Sequence, residues 1–388
     1  MNILQTNPHI LRAIGMAVSA YAGFSTTAFS ADTTAAKPYS ILATTQIPAA
    51  GGIDYVTADS VNRRVYVTCG NVVNVFDLDT YKLTGTLTNA SGRGVAIDPD
   101  NHTGLVSGNP AIYFNTQTLV PIKTIPAPGA DGYTFDPLTH RFIIHSHGAP
   151  NLLFVDSKDG SVIGTAAAIG PDGGNASVEQ GATDGEGHLY FDVSNQRHVS
   201  VVDVKTMKVT GMFDLGDKGG GPAGLAIDTK NHILFAMCRG AAGGTPTCVI
   251  LSAVDGKITT TLPLAGSSDG AVFNPHTMEA FSSHGNGTLT VIKENSPTDF
   301  VVEETVQTKS GGKTLTLDLK TDHVIVITRE PVPAAPGNAQ AAAAPAPGGV
   351  PGAATPPPQA GPGGGPGPGR GGRGGGGPML LDVMFIGR

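Results

Sequence analysis

Six ionisable side chains stand at matching places along this chain: Asp54, Arg93, Asp131, Glu179, Asp269 and Lys313, each five residues before a repeated acidic or amide turn residue. Ala223 holds the seventh such place. With 14% of the chain charged, about one in seven would be charged by chance. If the fold gathers them, their chemistry is ionic recognition. Arg93 and Lys313 suit anionic groups, while Asp131, Glu179 and Asp269 suit cations, amines or sugar hydroxyls. Asp131 and Glu179 come from successive copies, so a shared proton or a hard divalent cation such as calcium is the further chemistry open to them. A second reading stays open beside recognition: the charges pair with one another and solvate a channel.

Two of the eleven histidines join this set. His147 and His284 each precede Gly (HSHG and SSHG) at the end of a predicted strand, on the side expected to carry the charges. His145 lies two residues before His147, and residues two apart on a strand can converge on one ion, though no third ligand is evident. Most others (His102, His140, His188, His232, His276, His323) follow the turn residues and are expected to be solvated on the opposite face. Cys238 and Cys248 could close a hairpin as a disulfide, leaving Cys69 free.

The elements that must position these groups form a repeat. The turn anchors Asp59, Asp98, Asp136, Asp184, Asp228, Asn274 and Asp318 are separated by 39, 38, 48, 44, 46 and 44 residues. That spacing suits a four-stranded propeller blade of roughly 40 to 45 residues. Residues just before the anchors are mostly large and apolar (Ile97, Phe135, Ile227, Phe273, Leu317) and those two before are mainly small, the alternation of a strand. The expected fold is therefore all-β: a seven-bladed β-propeller over residues 39–388. Its last blade lacks a fourth strand, and Tyr39 to Pro48 is a spare one. Pairing of that strand with Met379 to Gly387 should close the ring and protect both edges.

Two segments stand apart. Residues 1–30 have the pattern of a secretory signal, with Arg12, an apolar stretch from Ala13 to Phe24, and Ala28 and Ser30 before the cleavage point. Residues 31–38 are then a flexible mature start, and the protein is expected to be periplasmic or secreted. The 48 residues from Pro331 to Pro378 contain 16 Gly and 13 Pro and no acid, so residues 331–378 should be a disordered insertion in the last blade. No apolar run is long enough to span a membrane.

At Tyr66-Val67-Thr68-Cys69 the chain resembles the YncE-like, YVTN-repeat family, with Cys where that motif has Asn. Val75-Phe76-Asp77-Leu78-Asp79-Thr80 and Val201-Val202-Asp203-Val204-Lys205-Thr206, followed by Lys208-Val209-Thr210-Gly211, are similar to its V-x-D-x-x-T-x-K-V-x-G unit. The likeness covers about residues 39 to 331 and 379 to 388. It implies an extracytoplasmic seven-bladed propeller and a binding or surface role, with DNA binding in some members. Because these motifs describe turns and blade packing, they imply no particular activity.

The expected function is ligand binding by an exported propeller, without catalysis: a small polar ligand, a protein or a glycan held in the charged funnel. A metal-assisted, lactonase-like hydrolase is the alternative. The G-x-S-x-G, P-loop and HExxH signatures are missing, Trp is absent, and no CxxCH haem site exists. No cofactor is expected unless an acidic cluster holds calcium. A net charge of -7 and a nearly balanced ring speak against nucleic acid. The Gly219 to Gly224 cluster has no following helix or Lys and reads as a loop.

Overall fold

The computed structural model describes residues 37–148, 151–167, 176–240, 244–333 and 377–388. Residues 1–30, expected to be a secretory signal, most of the 31–38 segment and nearly all of the Pro/Gly-rich segment 331–378 lie outside them. Among the described residues the chain is all-β, with one 3-10 turn at Gly216–Lys218, and no helix is long and apolar enough to cross a membrane.

Seven four-stranded antiparallel sheets are arranged as a β-propeller. The innermost strands are Ile53–Asp59, Gly94–Asp98, Ala130–Asp136, Val178–Thr183, Pro222–Asp228, Ser268–Asn274 and Leu315–Asp318, so the anchors end, or immediately follow, the inner strand of each blade. Seven apolar clusters fill the seven seams between neighbouring blades. Tyr66, Val75 and Leu87 of blade one, for example, meet Val95, Ile97 and Phe114 of blade two. Strands buried on both faces explain the continuous apolar runs of the middle strands, such as Ile233–Cys238.

The ring closes as the sequence predicts. In blade seven the strand order is Ser40–Pro48, Met379–Gly387, His323–Pro331, Leu315–Asp318, with Ser40 opposite Gly387 and Pro48 opposite Leu380. The two edges of the insertion meet, Val332 N donating to the Pro378 carbonyl at 2.9 Å. The segment therefore leaves and re-enters at one hairpin end.

On the anchor face, the residue four after most anchors adopts a left-handed conformation: Arg63, His102, His140, His232, Met278 and Asp322 have φ between 51° and 60°. From that turn several side chains cross a seam. Arg63 grips Asp318 of blade seven at 2.5 and 2.7 Å, and His140 Nδ1 lies 3.0 Å from Asp98 Oδ2 of blade two. His276 likewise reaches Asp322 of blade seven, while His188 pairs with Asp184 of its own blade, so these turn histidines bond carboxylates rather than water alone.

The expected Cys238–Cys248 disulfide is not formed; both thiols are free and buried. The register explains it, since Cys238 faces Thr247 and Cys248 faces Met237 across the two strands. A one-residue offset sends the side chains to opposite faces, Cys238 into the seam with blade four and Cys248 into the seam with blade six.

Candidate functional site

The position five before each anchor lies at or beside the start of the inner strand, at the end of the channel away from the anchors. There the predicted charges do converge. Arg93 Nη1 lies 2.7 Å from Asp54 and Nε 3.4 Å from Asp131; Lys313 Nζ bridges Asp269 at 3.0 Å and Asp54 at 3.5 Å. His147 Nε2 continues the chain to Asp131 Oδ2 at 3.1 Å, and its Nδ1 meets Ser177 Oγ at 3.0 Å.

Blade five supplies Ala223 at the repeat position, and its place in the circuit is taken by Arg239, which follows the second strand of that blade. Arg239 reaches Asp269 at 2.6 Å and Glu179 at 3.5 Å. The repeat position could not reveal it, although an arginine directly after a predicted strand end was a readable signal. The result is a continuous relay from Glu179 through Arg239, Asp269, Lys313, Asp54, Arg93 and Asp131 to His147.

Its electrostatics are layered. Arg93 and His147 turn outward, 58% and 48% exposed at the side chain, and Asp54, Asp131 and Glu179 are recessed at 13–14%, whereas Asp269 at 30% stands level with Arg239 and Lys313 at 35% and 36%. Burial, opposed only in part by Lys313 and Arg93, raises the Asp54 carboxyl above its ordinary range, and burial likewise raises Glu179 against Arg239. For Asp131, burial pushes upward but the His147 hydrogen bond and charge, with Arg93 and Lys313, win and lower it. Asp269 is lowered in the same way by Lys313 and Arg239. His147 is raised, first by its hydrogen bond to Asp131.

A floor lies beneath the ring. Tyr55 packs edge-on against Tyr133, centroids 5.6 Å apart, and its phenol is held well above its ordinary range by burial and by the charges of Asp131, Glu179 and Asp54. Tyr133, from blade three, passes blade two to bond Thr57 and the Val56 carbonyl of blade one. Gly94 makes room, for a Cβ there would sit 2.0 Å from the Tyr133 ring. Gln180 similarly spans from blade four to blade six, exchanging two 2.8 Å bonds with the Ala271 backbone. Crossed by these side chains, the site is a shallow charged cup. Tyr55, Tyr133 and Gln180 carry no ionic signature and went unread in the sequence.

Two histidines depart from expectation. His284 is at the expected mouth end of its strand, opposite Ser268, but it is fully buried, its Nε2 2.8 Å from Thr290 Oγ1, and burial lowers it to about 4; it is a neutral packing group and no part of the charged relay. His145 is also buried, held by Thr134 at 3.0 Å and the Glu179 carbonyl at 2.8 Å, and lowered to about 4 by burial. It points into the seam between blades three and four, whereas His147 lies past the strand end, so the two do not converge. Among the described residues one triple of carboxylate and histidine atoms is close enough to share an ion, Asp98, Asp100 and His140, on the anchor face. Asp131 and Glu179 belong to no such triple. A cavity of about 430 Å³ lined by Leu138, Arg141, Glu186 and Lys205 is also away from the cup.

No protein family and no curated protein matches this chain. Solved structures do. The crystal structure of the RRP9 WD40 repeats is similar with a TM-score of 0.63 at 9% identity, covering 74% of this chain and 89% of that one. The mitotic checkpoint complex gives 0.62 at 14% identity, covering 81% and 96%. U3-55K gives 0.62 at 8%, covering 74% and 90%. At such identities the likeness is one of fold, that of a seven-bladed propeller.

Proposed function

We propose that this chain is an exported, YncE-like binding propeller whose charged cup receives a small polar ligand carrying an anionic group. One observation carries the reading: the relay turns Arg93 and His147 to solvent and recesses Asp54, Asp131 and Glu179, so an approaching ligand meets Arg93 and His147 first, with Lys313 and Arg239 about as exposed as the Asp269 between them. Guanidinium groups already oriented by carboxylates lose little freedom on binding a further anion. The edge-on Tyr55–Tyr133 pair closes the bottom of the cup. A propeller of this fold in the mitotic checkpoint complex supports a recognition role in general.

The test is a thermal-shift screen of the mature protein against dicarboxylates, sugar acids, nucleotides and calcium, followed by calorimetry. A ligand at one hundred times its Kd should stabilise by about 2.7 kcal/mol. That shift should vanish in Arg93→Ala/Lys313→Ala. Stabilisation by calcium alone would favour the hydrolase reading, and silence across all anions would reject the proposal.

A further inference from the structure

Away from the cup, on the anchor face, the seam between blades two and three is closed by a hydroxyl. Ser157 Oγ donates to Asp98 Oδ2 at 2.5 Å. Ser157 follows the paired residues Arg141 and Asp156 that end the third strand, and its N–H bonds the His140 carbonyl at 2.9 Å. In blade six the same place, after the Glu279–Lys293 pair and with its N–H on the Met278 carbonyl at 2.9 Å, holds Glu294. The acid it faces across the seam is Asp228 of blade five.

A carboxylate thus stands where a donor is needed. Asp228 is 1% exposed and Glu294 3%. Lys230 N–H donates to Asp228 Oδ1 at 3.0 Å, and Asn231 Nδ2 donates to Glu294 Oε1 at 2.8 Å. Asp228 Oδ2 and Glu294 Oε2 remain buried with no partner. The turn amide has been diverted: in blades one and two Asn62 and Asn101 bond their own anchors at 2.9 and 2.8 Å, whereas Asn231 turns to Glu294. Two buried carboxylates side by side cannot both carry charge without a partner, and one proton satisfies both.

The geometry points to a single proton shared between Asp228 Oδ2 and Glu294 Oε2, which makes the seam between blades five and six a pH-sensitive joint. Burial, then the Asp228 charge, raises Glu294 to about 7, against the opposing effect of the exposed Lys230. Elsewhere on blade six, Lys293 is turned to the Thr277 carbonyl and Glu279 is engaged with Tyr39 and Arg388. When the proton leaves to water, two like charges face each other without solvent and the seam loosens. Glu294 holds its proton more tightly folded than unfolded, so its contribution to stability falls as pH rises from about 4.5 to about 7 and is level beyond. The same seam carries the Arg239–Asp269 pair of the cup.

The experiment is thermal melting of the mature protein and of Glu294→Gln from about pH 5 to about pH 8, with hydrogen exchange at both ends of that range. Wild type should lose several degrees of Tm relative to Glu294→Gln, whose amide can donate to Asp228 at every pH. Protection along Pro222–Asp228, taken relative to the base-catalysed intrinsic exchange rate at each pH, should fall at high pH in wild type alone. Equal pH slopes in the two proteins would overturn the proposal. So would full recovery of wild type at high pH by added sodium or calcium chloride, which would make a metal cation the occupant. Should Glu294→Gln fail to fold, Glu294→Ser, which reproduces the Ser157 arrangement, serves the same comparison.

Discussion

Replacing Arg63 by Met should weaken the ring at the seam where the last blade meets the first. Arg63 is 13% exposed at its side chain and Asp318 1%, and the guanidinium takes both carboxylate oxygens. Burial alone would raise Asp318, yet Arg63, Thr321 and the Lys320 N–H bring it down from 3.8 to about 2. A displacement of that size corresponds to about 2.4 kcal/mol. Removing the arginine also leaves a buried carboxylate held only by the neutral donors Thr321, Lys320 N–H and Ser60, so the expected loss is about 2 to 4 kcal/mol. Because the folded carboxyl is depressed, this contribution is present above about pH 4 and disappears as pH falls toward 2. Urea unfolding at about pH 7 and about pH 3 reads both effects, and Arg63→Met should have the shallower acid limb. Asp318→Asn added to Arg63→Met should recover part of the loss, since the orphaned charge goes with it. A change below ~0.5 kcal/mol, or an unaltered acid limb, would show that the pair is neutral to stability and the reasoning wrong.

Two further outcomes test the cup and the closure. Asp131→Asn should lower the His147 titration followed by NMR, because the carboxylate is the leading cause that raises it; the stability tied to that pair, present at low pH and lost as pH passes the folded value, should shrink with it, and an unmoved titration would show that the contact does not persist in solution. Deleting residues 334–376 behind a short linker should leave Tm nearly unchanged, since Val332 and Pro378 are already paired, whereas deleting residues 39–48 should cause unfolding or association by baring the edge of Met379–Gly387; equal tolerance of both deletions would contradict the closure.

Much of this architecture is legible because it is written seven times. Each anchor fixes the end of an inner strand, and counting five residues back from Asp59, Asp98 or Asp318 lands on a group at the same mouth. The spare strands at the two ends of the repeat required each other, since neither edge could be left bare. What departs from the repeat was hidden by the same logic. Arg239 replaces the charge missing at Ala223 from a different strand, and Tyr133 crosses two blades because Gly94, an unremarkable inner-strand glycine, leaves it space. The spacing of Cys238 and Cys248 suggested a bridge, but pairing register decides which face a side chain takes, and one residue of offset separated them. His284 resembled His147 in its local sequence. One ends inside a seam and the other past a strand, a difference set by tertiary packing.

The three-plus-one composition of the last blade sets a timetable for biosynthesis. In a chain delivered from its N-terminus, residues 40–48 are the first strand available and stay unpaired while six complete meanders form. The ring cannot lock until residues 379–387 are released and slot between that early strand and His323–Pro331. Every nascent intermediate is therefore an open arc, and the final nine-residue strand turns it into a circle.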